Sequence, residues 1–336
     1  MESRSSRDRG AILIWATLSM VMLVSMMALA LNVGHMVSVR GELRNAADAA
    51  ALAGVMELDG TEAVLDGAVD LAIDQAAQHS TDRTTVAVHH DDVELGRWAW
   101  NESPATAFHG IAEIRAQFPG QPDEVAKRVT AVRVRTDRAA MPVAFGGILG
   151  RNTVDIGASA VAAGGGPCQA ACAVPFTIAD CNLPSRCGTT LILRASPATT
   201  DLMAFTILSS SQATPPTVNE ILQQIIDGRC STHGEGERIR VNNGNYFNPV
   251  QDNFRELIRV QPAEGYWIAV TGGYSCPSPQ FVQDHPIVGF ARVRLERIVV
   301  QGSDKFIEVT YLCDVHDPGR GGCMYYGTHA RPMLVR

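Results

Sequence analysis

Residues 41–54 read GELRNAADAAALAG, and six of these fourteen are alanine. Alanine is the strongest helix former, yet it buries little apolar surface. The stretch extends a regular stripe: Val39, Leu43, Ala46/Ala47, Ala50 and Ala53 follow the i, i+4, i+7, i+11 spacing of one helical face. Arg40, Glu42, Arg44 and Asp48 fall largely elsewhere. No proline interrupts Leu31 to Leu58, so the spacing predicts one uninterrupted helix. Asp59-Gly60 reads as its stop, and Thr61-Glu62 opens a second helix to about His79. Val64, Leu65, Ala68, Leu71, Ala72 and Ala76 form the apolar face of that second helix.

Upstream, residues 11–31 read AILIWATLSMVMLVSMMALAL without a charge. About twenty apolar residues cross the roughly 30 Å hydrocarbon layer as a helix. Arg4, Arg7 and Arg9 precede the run, against Glu2 and Asp8, which predicts a cytoplasmic N-terminus and an extracytoplasmic bulk. The same run fits a cleaved signal peptide, with Ala28-Leu29-Ala30 as the small-x-small site. From the run onward, about 48 helical residues would reach about 70 Å, of which about 40 Å stands clear of the bilayer. Small side chains let another helix approach closely. The expected helix-association residues are Leu43, Ala46, Ala47, Ala50, Ala53 and Gly54. Their partner is the second helix of the same chain, folded back as a hairpin, or a neighbouring protein, and the two are not exclusive.

The block RGAILIWATLSMVMLVSMMALALNVGHMVSVRGELRNAADAAALAG (9–54) resembles the N-terminal domain of the TadE/TadG-like proteins of the Tad (Flp) pilus-assembly system. Arg9-Gly10, the apolar run, and above all the segment from Leu43 to Gly54 carry the likeness. Looser likeness extends through 92–101, 131–150 and 154–163, and IRVNNG (239–244) is similar to C-terminal regions of the group. The resemblance implies a membrane-anchored protein whose partners are other pilus-assembly or secretion proteins. Trp15 stands five residues after Gly10, where prepilin-like members carry a Glu. That departure argues against processing after Gly10 and packing into a fibre. The Asp-x-Ser-x-Ser string of a von Willebrand A metal site does not occur in the sequence.

Length, charge and cysteines bound the rest. The 336 residues suggest about two domains, and the formal charge of −7 argues against a nucleic-acid partner. All eight cysteines (Cys168, Cys172, Cys181, Cys187, Cys230, Cys276, Cys313 and Cys323) lie in the second half, on the expected outer side. An even number in an oxidising compartment predicts disulfides, with the connectivity open. Metal ligation is the weaker reading, because there is no C-x2-C pair.

The expected divisions are a cytoplasmic tail (1–10), a transmembrane helix (11–31), an extended and a second helix (32–80), a small β-rich module (81–163) and a disulfide-containing α+β domain (164–336). Val132 and Val134 alternate with Arg133 and Arg135, a half-buried strand pattern. Residues 101–127, with prolines at 104, 119 and 122, read as loop. Gly164-Gly165-Gly166-Pro167 reads as a linker. Val218–Gly228 reads as a helix, and 287–300 with 305–313 as a hairpin around Gly302-Ser303. The expected class is therefore α+β: a transmembrane helix continuing as a long extracytoplasmic helix, packed with antiparallel β-rich modules stapled by disulfides.

Catalytic sets are weak. His89-His90-Asp91-Asp92 reads as a polar turn before a cation site. His316 with Asp314 and Asp317, and Ser209–Ser211, could be drafted into a triad, but no G-x-S-x-G elbow supports it. His233, Glu235 and Glu237 read as a loop. There is no H-E-x-x-H, Walker loop or G-x-G-x-x-G, so neither enzyme activity, nor a cofactor, nor a metal is expected. The alternative class is an exported enzyme or soluble binding protein whose first helix is only a signal or anchor.

Overall fold

The computed structural model describes residues 5–335 apart from 101, 144–149, 151, 185, 195–202, 207–215, 243–246, 273–283, 303 and 314. One helix, α1 (Ser5–Glu57, 53 residues), joins the apolar run to the alanine-rich stretch without a break. At about 1.5 Å per residue it is roughly 80 Å long. Its two halves differ in environment. Large side chains from Leu13 to Val33 are exposed, including Trp15, Leu23 and Leu31, whereas Val39, Leu43, Ala46, Ala47, Ala50, Ala51, Val55 and Leu58 are buried. α1 is the one helix among the described residues long and apolar enough to cross a membrane.

The stop at Asp59-Gly60 has a clear cause. Asp59 Oδ1 accepts from the Thr61 N–H at 2.8 Å, and Gly60 takes φ +85°, where side chains are strained. A short 3-10 turn leads into α2 (Leu65–Ala77), which folds back along α1. After the two-residue strands β1 (Ser80–Thr81) and β2 (Thr84–Thr85) comes β3 (Val93–Trp98).

Residues 101–127 depart from the expected loop. They form β4 (Phe108–Gly110), α3 (Ile111–Gln117) and α4 (Pro122–Arg128) among their described residues. Pro122 is a helix-starting proline: its fixed φ suits the first turn, where its missing N–H has no intrahelical partner. β5 (Ala131–Pro142) and β6 (Thr153–Ala163) follow as a long antiparallel pair.

The first lobe is thus a five-stranded sheet in the order β18-β6-β5-β3-β4, with α1 and α2 on one face. β18 (Met333–Val335), the last strand of the chain, pairs with β6. Val132 and Val134 point into the helix face while Arg133 and Arg135 turn outward, where both reach Glu94.

The second lobe begins with β7 (Gln169–Ala171) and β8 (Ala173–Ala179), then β9 (Thr190–Leu193), β10 (Met203–Thr206), α5 (Val218–Ile226), β11 (Thr232–Gly234), β12 (Arg238–Asn242), α6 (Phe247–Val260), β13 (Tyr266–Thr271), β14 (Asp284–Gln301), β15 (Asp304–Leu312), β16 (Val315–Arg320) and β17 (Thr328–Arg331). Its main sheet runs β12-β10-β8-β13-β14-β15-β9. β12 also pairs with the start of β14, so five strands (β8, β10, β12, β14 and β13) close into a ring. β8 and β13 are parallel neighbours, and every residue of both is buried. Such burial on both faces gives continuous apolar runs rather than alternation. α5 and α6 cover one face through Ile221, Leu222, Phe247, Val250, Phe254 and Leu257. α5 opens with a capping box between Thr217 and Glu220. The hairpin β14–β15 turns at Gly302, φ +56°.

Gly164-Gly165-Gly166 is a packed junction, not a loose linker; all three residues are buried. A Cβ on Gly164 would lie 3.0 Å from Val55 Cγ2, and one on Gly166 would lie 2.2 Å from the Met324 carbonyl oxygen. These glycines permit close backbone approach rather than freedom of movement.

Candidate functional site: the alanine seat and the interlobe cleft

The alanine stripe and Gly54 meet the chain's own sheet and second helix. Leu43, Ala46, Ala47 and Ala50 are fully buried, Ala53 is half-buried, and Gly54 is buried. At Gly54 a Cβ would lie 3.0 Å from the Ala68 carbonyl oxygen, 3.2 Å from Ala72 Cβ and 3.3 Å from Val132 Cγ1. The helix therefore approaches both α2 and β5 as closely as a hydrogen side chain allows. Thr136 Oγ1 donates to the Leu43 carbonyl at 3.0 Å, a buried polar tie between β5 and α1. Of the two partners open to these residues, the chain's own α2 and sheet occupy them.

Where the lobes meet, the end of the chain crosses back over the first lobe. Trp100 Nε1 donates to the Gly321 carbonyl at 2.8 Å, and Thr130 Oγ1 to the Gly322 carbonyl at 3.0 Å. The Gly165 N–H donates to the Tyr325 hydroxyl at 3.0 Å. Burial pushes the Tyr325 phenol well above its ordinary range, so it stays neutral there. The role of Tyr325 depends on contacts made across 160 residues of sequence.

Beside this crossing lies a cleft of about 640 Å³, lined among others by Arg97, Trp98, Trp100, Glu102, Glu235 and Met324. Burial raises the Glu235 carboxyl pKa, while Arg97 opposes that shift; the residue stays reachable from solvent. Cys168, Glu235 and Cys323 come close enough to suggest a metal site, but the two sulfurs are joined in a disulfide and offer no thiolate. At the outer rim, His109 lies between Glu113 (Nδ1–Oε2 3.0 Å) and Glu102 (Nε2–Oε1 2.9 Å). The hydrogen bond to Glu113, then that to Glu102, raises its pKa above 6.5.

Three disulfides lie among the described residues: Cys168–Cys323, Cys172–Cys230 and Cys187–Cys313. Cys181 is disulfide-bonded as well, and Cys276 falls outside the described residues. The weaker sequence candidates do not converge among the described residues. His89-His90-Asp91-Asp92 forms a turn in which the side chains of His89 and Asp92 cap each other's backbone. His233 is buried between Ser231 and Glu237, inside one β11 loop. Ser209–Ser211 and Asp314 lie outside the described residues, and His316 and Asp317 lie on β16.

Comparison with known families fits this architecture. Residues 10–57 match the TadE/G-like Flp pilus-assembly family, and residues 39–162 match the Tad-like Flp pilus-assembly family. The first match ends with α1; the second runs to the end of β6. They overlap on the buried half of the helix. No curated protein and no solved structure matches the chain. Residues 10–162, which hold most of the long helix and of the lobe built around it, are thus similar to the Tad-type Flp pilus-assembly families.

Proposed function

We propose that the chain is a single-pass, extracytoplasmic component of Tad-type pilus assembly or surface attachment, acting by protein packing rather than by catalysis. The observation that carries this reading is α1: one helix supplies an exposed apolar half of membrane-spanning length and the buried centre of a family-matched lobe. A run of twenty-one uncharged, mainly apolar residues whose described side chains are exposed except at Ala28 is costly in water and favourable in lipid. The arginines before the run favour a cytoplasmic N-terminus, and lobes on the other side of the membrane would lie where disulfides persist. With the alanine stripe filled internally, contacts to other assembly proteins fall to the remaining lobe surface and to the membrane half of α1.

The test is fractionation of the native protein with mass measurement, then in-cell photocrosslinking from Leu23 and from the lobes. Recovery of the intact chain in the inner membrane, with crosslinks to pilus-assembly components, is expected. A mature protein beginning after Ala30 and soluble without detergent would refute the anchor.

A further inference from the structure

We propose that the last described pairs of β5 and β6, Ala139–Pro142 with Thr153 and Val154, rest in the interfacial layer of the same bilayer that holds α1, giving the lobe a second membrane contact. The inference depends on the anchoring proposed above.

Two contacts set the direction of β5 along the helix. Val132 Cγ1 faces Gly54, and Thr136 Oγ1 bonds to Leu43. As β5 advances it therefore runs down α1 toward the apolar half. β5 carries a bulge between Arg138 and Met141, so from the Thr136–Ala158 pair to the Pro142–Thr153 pair the ladder advances by about five residues, which at about 3.3 Å each cover roughly 17 Å. That distance equals the rise of about 11 helical residues, which brings Pro142 level with about Asn32, at the end of the apolar run.

Burial along α1 agrees independently. The stripe that faces the lobe continues below Val39 through half-buried Met36 and half-buried Asn32 to Ala28. Ala28 is only 8% exposed, although it lies within the run 11–31. Ala16 and Ala30, on other faces of the same run, are exposed. Something thus covers α1 on the lobe side one turn below the end of the apolar run, and β5 and β6 are the elements heading there. Met141, near the tip, is fully buried and belongs to the same core as Val39.

The chemistry of the tip suits that depth. Ala139, Ala140 and Pro142 are exposed, and β6 pairs back through Thr153 and Val154. Asp137, Arg138 and Asp155 lie just above, at the level expected for headgroups, with Asp155 Oδ1 accepting from the Ala140 N–H at 2.8 Å. Because α1 passes from lipid into the core with no flexible segment, the lobe cannot swing away from the membrane. Its orientation over the bilayer is fixed by helix and hairpin together.

The experiment uses the full chain in vesicles of phosphatidylethanolamine and phosphatidylglycerol. A photocrosslinking benzoylphenylalanine is placed singly at Val24, Pro142 or Ile192, and lipid adducts are counted by mass spectrometry. Val24 reports the anchor and Ile192 a remote edge strand of the second lobe. Adducts at Val24 and Pro142, with those at Ile192 at least tenfold fewer, are expected. Adducts at Val24 but none at Pro142 overturn the second contact and leave the anchor standing. No adducts at Val24 overturn the anchor, and the hairpin contact with it. Equal labelling at Pro142 and Ile192 overturns the fixed orientation.

Discussion

The two lobes build helix-on-sheet cores from opposite materials. In the first, α1 and α2 meet the sheet through Ala46, Ala47, Ala50, Ala68, Ala72 and Gly54, and there is no cysteine. In the second, α5 and α6 meet it through leucine, isoleucine and the buried rings of Phe247 and Phe254, and all eight cysteines lie in that half of the chain. Small residues stabilise by letting backbones come close, so such a seat tolerates truncation but not growth. Large rings stabilise by the area they bury, so their core tolerates modest reshaping but not loss. The first lobe is held by fit around a long helix, the second by bulk and covalent staples.

Mutations of opposite kind separate these two cores. Phe254→Ala removes a fully buried ring that lies 6.0 Å from Phe176. It is expected to cost about 3–5 kcal/mol, read by urea unfolding, with proteolytic protection of α1–α2 retained. An equal loss of protection in both lobes would show that they unfold as one unit. Replacing Cys187 and Cys313 together by serine opens a link spanning 126 residues. About 2–4 kcal/mol of stability should vanish from the second lobe, and thermal unfolding with and without reductant measures it. Gly54→Leu forces atoms into the Ala68, Ala72 and Val132 contact. Up to about 3 kcal/mol is expected, from the first lobe alone; hydrogen exchange of α2 amides reports it, and unchanged exchange would mean the seat is looser than described. Tyr325→Phe strips the partner from the buried Gly165 N–H at the junction. A loss of about 1 kcal/mol by denaturant titration is the expected outcome.

The smallest effect is a pH dependence confined to the first lobe. The folded chain raises the His109 pKa through Glu113 and Glu102, so folding favours the protonated ring. That contribution is complete below about pH 6.5 and fades as pH rises through the raised value. Exchange of β4–α3 amides should therefore quicken modestly above that range, and His109→Gln should flatten the profile. A profile unchanged by the substitution would assign the pH response to another group.

Long-period patterns were legible in the sequence because they are local. The uninterrupted α1, its stop at Asp59-Gly60, the Val132/Val134 alternation and the β14–β15 hairpin all follow from spacing and turn chemistry, and so does the α2 face except at Leu71, which is exposed while Val69 is buried in its place. Prolines at 104, 119 and 122 misled for an equally local reason: a helix-starting proline and a loop proline look alike until the next turn is seen. The three glycines at 164–166 misled because flexibility and close approach demand the same residue.

What the sequence determined by itself is the rod: an uncharged run, no proline, and an alanine stripe in register, all properties of neighbours within a few positions. Only the tertiary structure decided what fills that stripe. Gly54 meets Ala68, Ala72 and Val132, Leu43 bonds to Thr136, and the Tyr325–Gly165 tie, the return of β18 to β6 and the closure of five strands by β12 join segments tens to hundreds of residues apart. Periodicity tells a helix which face to bury, but a small apolar face carries no mark of its partner; that choice belongs to the packing of the whole chain.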